Sequence, residues 1–213
     1  TSHETVLAQL NQAYLSPAAQ LFVLYVRRRA GKTELIRDFV ADKAHIFFIA
    51  TLSSDADQLA AFSQLIHKEL TGEEVADFSY PSWEVAFSML ATLPKRPIVI
   101  INEITYLLDG NRELLATLQR VWDQQLRAAD LFLLLCGSYV GKIERELLEP
   151  NTPLFGHYTG NAHLQPLSLA ATAQLCPQYS PAQQLECWAV LGGMPYYLQV
   201  FSDQVAIFEN IQK

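Results

Sequence analysis

Residues 26–33, Val-Arg-Arg-Arg-Ala-Gly-Lys-Thr, carry the most legible chemistry in this chain of 213 residues. A lysine and a hydroxyl directly after a glycine, where an apolar run gives way to an amphipathic one, can surround an anion. Backbone N–H groups of the turn and of the helix N-terminus face it, the lysine neutralises it, and the hydroxyl takes a divalent cation. Arg29, Ala30, Gly31, Lys32, Thr33 and Glu34 are therefore the expected nucleotide-binding residues, with Lys32 on β- and γ-phosphate oxygens and Thr33 on Mg²⁺. The usual spacing is G-x-x-x-x-G-K-[ST], and Val26 stands where the first glycine would be. A β-branched residue is stiff at such a turn. Either the loop starts differently, or phosphate binding carries a strain of ~1–3 kcal/mol, which is roughly one to two decades of affinity.

Two further stretches fit the same chemistry. Ile98–Glu103 (IVIINE) is an apolar strand ending in polar groups. Asp-Glu is usual at this point in hydrolytic proteins with such a loop, the Asp holding the magnesium shell and the Glu activating water. Asn102 can still hydrogen-bond a metal-bound water but brings no charge, so Thr33 and Asn102 are the expected metal-side residues. Glu103 is the expected general base, polarising an attacking water, and Ser138, after LFLLLCG, the expected γ-phosphate sensor. The blander readings are a solvated lysine, a solvated strand-end carboxylate and an ordinary Gly-Ser turn. Lys142 and Arg145 read as helix-face charges, His157 and His163 as loop residues, and Trp83 and Trp122 as core.

The elements that must position these residues alternate in type. Helical spacing covers residues 4–14, an apolar strand Leu21–Tyr25, a helix Lys32–Val40 and a strand His45–Ala50. A helix runs from an N-cap at Ser54 to Leu70, another spans Ser82–Leu93, and Ile98–Ile101 is the most β-branched strand. A long helix over Asn111–Ala129, a strand Leu131–Cys136, a helix Val140–Leu148 and a fifth strand Ala162–Leu167 follow. Such alternation predicts an α/β three-layer sandwich, a five-stranded parallel sheet covered on both faces. Ligands belong at the carboxyl ends of such strands, where Tyr25/Val26, Asn102/Glu103 and Gly137/Ser138 all fall. From residue 168 the chain turns alanine- and glutamine-rich, broken by Pro177, Pro181 and Gly192-Gly193-Met194-Pro195. The expected division is a core over 1–167 and a small helical lid over 168–213.

Half the residues are apolar and 17% are charged, which supports a sizeable core and excludes wholesale disorder. No window approaches the ~18 consecutive apolar residues of a membrane span. No signal peptide is evident, and the chain lacks an initiator methionine, as a fragment of a longer protein would. A net charge of −7 argues against a dedicated nucleic-acid binder, and the densest positive patch, Arg27-Arg28-Arg29, sits inside the loop, where a bound polyphosphate would use it. Three cysteines without C-x-x-C spacing fit a reducing, cytoplasmic setting, with Cys136 a small core residue. The five histidines show no metal-ligand spacing.

The ordered series YVRRRAGKTEL, IVIINEITYLL, LLLCGS, ERELLEPNTPLFG, LQPLSL and VLGGMPYYL resembles the archaeal and bacterial ATPases of the AAA-related P-loop class, from Leu21 to Leu198. The resemblance implies a P-loop NTPase sandwich binding ATP and Mg²⁺, a helical lid, and a further C-terminal domain of nuclease-like or DNA-associated type beyond this segment. The departures fall on chemistry. They are Val26 for glycine, Asn102 for aspartate, no opening G-R-E motif in Thr1–Asn11, and Phe155-Gly156-His157-Tyr158-Thr159 without the family's two arginines. If those arginines stabilise the transition state, their loss costs ~10³ or more in rate. The expected function is an ATP-binding AAA-type module that uses Mg-ATP for conformational switching, with slow or absent hydrolysis, acting on a partner protein or attached domain. The alternatives are a pseudo-ATPase scaffold working through contacts alone and, less well fitted, a small-molecule P-loop kinase.

Overall fold

The alternating pattern folds as a five-stranded, all-parallel sheet of order β2-β3-β4-β1-β5 in a computed structural model that describes residues 1–212. A helix α1 (Ser2–Leu15), opened by a capping box between Thr1 and Glu4, leads into β1 (Gln20–Val26). Then come α2 (Lys32–Val40), β2 (His45–Ile49), α3 (Asp55–Thr71, capped by Ser54), α4 (Trp83–Met89) and β3 (Ile98–Asn102). The core closes with α5 (Thr105–Gly110), α6 (Leu114–Gln124), β4 (Phe132–Gly137), α7 (Val140–Ile143) and β5 (Gly160–Leu164). The α/β sandwich expected from the alternation is the fold of this chain.

Strand periodicity divides the core. Leu21, Val23 and Tyr25, with Val99, Ile101, Leu133 and Leu135, face one layer formed by α3, α4 and α6. Phe22, Leu24 and Val26, with Ile98, Ile100, Phe132 and Leu134, face the layer of α1 and α2. Parallel register then fixes the strand ends: Tyr25 is level with Gly137, and Asn102 is level with Cys136. The three loops that leave β1, β3 and β4 therefore open on one edge of the sheet.

Several boundaries differ from expectation for identifiable reasons. The single helix expected over Asn111–Ala129 is shorter: α6 ends at Gln124, Gln125 leaves helical geometry (φ −138°, ψ −54°), and a 3₁₀ turn carries Leu126–Ala128. Leu126 is fully buried, so the apolar stripe continues across the break and periodicity alone bridged it. The separate helix α5, ended at Gly110-Asn111, was not anticipated. The Val140–Leu148 helix is α for one turn and π-helical over Glu144–Leu148. The fifth strand lies earlier than Ala162–Leu167, ending before Gln165-Pro166. It contains His163, which stacks on Tyr25 at 4.6 Å rather than sitting in a loop. Trp83 and Trp122 are core residues. Lys142 is no surface charge: it is buried, ion-paired with Asp109 and bonded to the Thr105 carbonyl at 3.2 Å.

Beyond β5 come α8 (Leu169–Leu175), α9 (Pro181–Leu191), α10 (Pro195–Leu198) and α11 (Ile207–Ile211). They enclose a small apolar cluster of their own, Cys176, Tyr179, Cys187, Leu198 and Ile207. Gly193 ties this part to the segment that follows β5. Its carbonyl accepts from Leu167 N–H at 2.8 Å, and the Trp188 indole donates to the Leu167 carbonyl at 2.9 Å. No helix among the described residues is long and apolar enough to cross a membrane.

Candidate functional site

The loop between β1 and α2 turns back on itself at two residues with left-handed backbone, Arg29 (φ 69°) and Gly31 (φ 97°). Val26 has no such angle. It is the last residue of β1, fully buried in the α1/α2 layer, so the strain expected from a missing glycine there does not arise. The unusual conformation has moved to Arg29, a residue type that meets it at a cost of about 1–3 kcal/mol. Ala30 is buried, with its N–H bonded to the Arg27 carbonyl at 3.2 Å, which closes the turn.

Gly31 begins α2 without a side-chain cap. The first-turn N–H groups of Lys32, Thr33 and Glu34 find no acceptor among the described residues, and the cleft at this end is lined by all three. Unsatisfied N–H groups and the positive end of the helix dipole make this end an anion site.

Opposite it, the three strand-end predictions meet. Lys32 Nζ donates to Glu103 Oε1 and, at 2.8 Å, to Ser138 Oγ. Ser138 Oγ donates to the same carboxylate at 2.5 Å, and Ser138 N–H donates to Glu103 Oε2 at 3.0 Å. Glu103 holds a left-handed backbone (φ 58°) in this network. Partial burial works to raise its pKa, but hydrogen bonds from Lys32 and Ser138 and the lysine charge outweigh it. The carboxyl lies below its ordinary range and is ionised at neutral pH. Beside it, Asn102 lines the cleft, and its Oδ1 is buried with no hydrogen-bond partner among the described residues, an orphaned acceptor. Cys136, one residue from the strand end, is no nucleophile, since burial pushes its thiol up to about 12.

The cleft of about 360 Å³ between these groups also includes Arg27 and Arg28, from the arginine patch expected to serve a polyphosphate, and Pro195, Tyr196 and Gln199, which were not anticipated as site residues. Pro195 and Tyr196 open α10, and Gln199 directly follows it. The Arg29 guanidinium lies over the Tyr196 ring at 4.6 Å and the Tyr197 ring at 5.1 Å, and donates to the Tyr197 hydroxyl at 2.7 Å. Pro195 comes so close to the loop that a Cβ on Gly31 would meet its Cγ at 3.8 Å. A proline-started helix after a Gly-Gly turn, bearing two exposed tyrosines, was the sequence signal for this wall.

An anion-ready helix end, a lysine and a strand-end carboxylate on a parallel sheet define a P-loop nucleotide-binding module of the ATPase type. The ATPase domain predominantly from Archaea matches residues 3–201, and the chain belongs to that family. Over 196 residues it is 29% identical to an uncharacterized protein of Methanocaldococcus jannaschii, covering 92% of this chain and 42% of the relative. It thus spans less than half the length of that curated relative. Among solved structures, a Walker-type ATPase of Pyrococcus abyssi is similar with a TM-score of 0.68 and 20% identity, over 99% of this chain and 71% of that one. The ORC1 protein of Aeropyrum pernix, solved in complex with DNA, is similar with a TM-score of 0.61 and 14% identity, over 99% of this chain and 63% of its own. At these identities the likeness is one of fold.

Proposed function

We propose that this chain binds ATP with Mg²⁺ and uses the nucleotide to change how the lid (168–213) sits on the core (1–167), with slow or absent hydrolysis. The observation that carries the reading is the meeting of Lys32, Glu103 and Ser138 opposite the unsatisfied N–H groups of α2. The residues fit a magnesium nucleotide: free N–H groups for phosphate oxygens, the Thr33 hydroxyl at the cleft, and the orphaned Asn102 Oδ1 to hold a metal-bound water. Mg²⁺ bound there would neutralise phosphate charge. Lys32 would leave Glu103 for the β- and γ-phosphates, freeing the carboxylate to orient a water, while Ser138 Oγ turns to the γ-phosphate. Arg29, Ala30, Gly31 and Glu34 would shape the loop around the phosphates.

Hydrolysis would be slow because Asn102 brings no charge to the metal and residues 155–159 carry no arginine. The buried free thiols support a reducing, cytoplasmic setting. The net charge of −7 favours a protein partner or attached domain over DNA as the target of the switch. A pseudo-ATPase reading draws on the Lys32–Glu103 pair, which already satisfies the site without nucleotide.

Thermal unfolding decides between them. ATP at about a hundred times its Kd adds about 2.7 kcal/mol, which is several degrees of Tm for a chain of this size. The expected result is a Mg-ATP-dependent rise that Lys32→Ala abolishes. No rise at millimolar ATP overturns the nucleotide-binding reading.

A further inference from the structure

The three consecutive arginines of the loop are not equivalent, and their partners separate them. Arg29 is engaged by the two lid tyrosines. Arg27 lines the nucleotide cleft and, among the described residues, has no carboxylate partner, so what sets Arg28 apart is its place between two clefts. Arg28 lines that cleft and also a second one, of about 550 Å³, on the other side of Glu103 and Ser138. The other cations of this second cleft have carboxylate partners: Lys142 is paired with Asp109, and Arg145 lies 3.6 Å from Glu146. Among the described residues Arg28 has no carboxylate partner. Its guanidinium donates to a neutral group, the Tyr106 hydroxyl on α5, at 3.3 Å.

A guanidinium without an ion-pair partner, lining the same cleft as Lys32 and Glu103, offers a planar fork of donors that matches phosphoryl oxygens. We infer that Arg28 reads the terminal phosphoryl group, and so is the residue by which this chain distinguishes a nucleoside triphosphate from a diphosphate. The inference rests on the nucleotide-binding reading. Within that reading, Lys32, Glu103 and Ser138 mark the far end of the polyphosphate, and Arg28 is the arginine of the loop that reaches past that end. Tyr106 is its positioning residue, holding the fork over the junction of the two clefts. A diphosphate leaves Arg28 on Tyr106; a triphosphate gives it an anion. This supplies from the loop itself a cation that residues 155–159 do not provide.

Calorimetric titration of the chain with Mg-ADP and with a non-hydrolysable Mg-ATP analogue tests this without relying on turnover. Arg28→Ala is expected to raise the Kd for the triphosphate about tenfold or more and to leave the diphosphate Kd within about twofold. Arg28→Lys should recover part of the discrimination. Tyr106→Phe should lose a smaller part, about two- to fivefold, with unchanged diphosphate binding. Equal losses for both nucleotides, or no loss for either, overturn the assignment of Arg28 while leaving the nucleotide-binding reading intact. Wild-type protein indifferent to both nucleotides overturns both. Arg28 is exposed, so Arg28→Ala should fold, and an unchanged far-ultraviolet spectrum checks it.

Discussion

The two walls of the nucleotide cleft are held by different physics. On the sheet side, Lys32, Glu103 and Ser138 sit at the ends of hydrogen-bonded parallel strands and the first turn of α2, and their side chains bond one another at short range. On the side of the proposed lid, Pro195 and Tyr196 are presented by a four-residue helix and Gln199 by its C-terminal end, and the bonds to the loop are an exposed guanidinium stack and one phenol hydrogen bond. The first wall inherits rigidity from two packed layers. The second rests on a cluster of five buried residues, on Met194 packed against the α1/α2 layer, and on one glycine's contact with Leu167. Fixed chemistry on one side and a more lightly held element on the other is the arrangement that the proposed nucleotide switch needs.

Detaching the lid should be the largest effect. Gly193 has φ 65°, and a Cβ there would lie 2.1 Å from the Leu167 carbonyl oxygen, which cannot move without breaking the Trp188 bond. Gly193→Val should cost about 2–4 kcal/mol of docking free energy. Gly72 provides the control: it too has positive φ (76°), but nothing lies within 4 Å of its added Cβ. Gly72→Ala should therefore cost only about 1 kcal/mol. Hydrogen exchange should show Gly193→Val raising exchange across 195–211 while the amides of β1, β3 and β4 keep their protection. Uniform loss of protection would make the two walls one cooperative unit.

Glu103→Gln probes the sheet wall at the next level down. It keeps one amide oxygen to accept from Ser138, replaces the second acceptor with an NH₂ donor, and leaves Lys32 without its ion pair. Because the folded carboxyl is held below its ordinary 4.5, the wild-type pair stabilises the fold above that value and loses the contribution as pH falls through the lowered pKa. The expected outcome is a lower Tm for Glu103→Gln at pH 7, with the gap to wild type shrinking as the pH drops below 4.5. A gap that widens in acid would contradict the sign of the shift. Hydrogen exchange in the lid should not respond, which sharpens the contrast with Gly193→Val.

The same division explains what could be read in advance. Strand ends were legible because period-2 burial and parallel register leave little choice. Once Leu21–Tyr25, Ile98–Ile101 and Leu131–Cys136 are strands, Glu103 and Ser138 must open on the edge where Lys32 begins its helix. Val26 left two readings open, a loop that starts differently and a strained one, because residue type alone does not say where the unusual angle falls. The chain meets the geometric need three residues later, at Arg29, which no residue-type preference would select. The break at Gln125 and the helix α5 were hidden because buried leucines continue the stripe through both. The lid wall was illegible for a simpler reason: Arg29 and Tyr197 are 168 residues apart, and only tertiary placement makes them neighbours.

The smallest test sits at that contact. Tyr197→Phe keeps the ring under Arg29 and removes only the hydroxyl that accepts its hydrogen bond at 2.7 Å. For an exposed bond of this kind the loss should be about 0.5–1 kcal/mol, too little to unfold the lid. It is large enough to raise the exchange of the α10 amides about two- to fivefold, since their opening depends on the free energy of undocking. Raising the salt concentration should have little further effect on the variant, because the remaining cation–π contact is short-range and partly desolvated. If Tyr197→Phe instead moved exchange in β1 or at Glu103, the clasp would be part of the rigid wall, and the separation between the two sides of the cleft would fail at its most exposed bond.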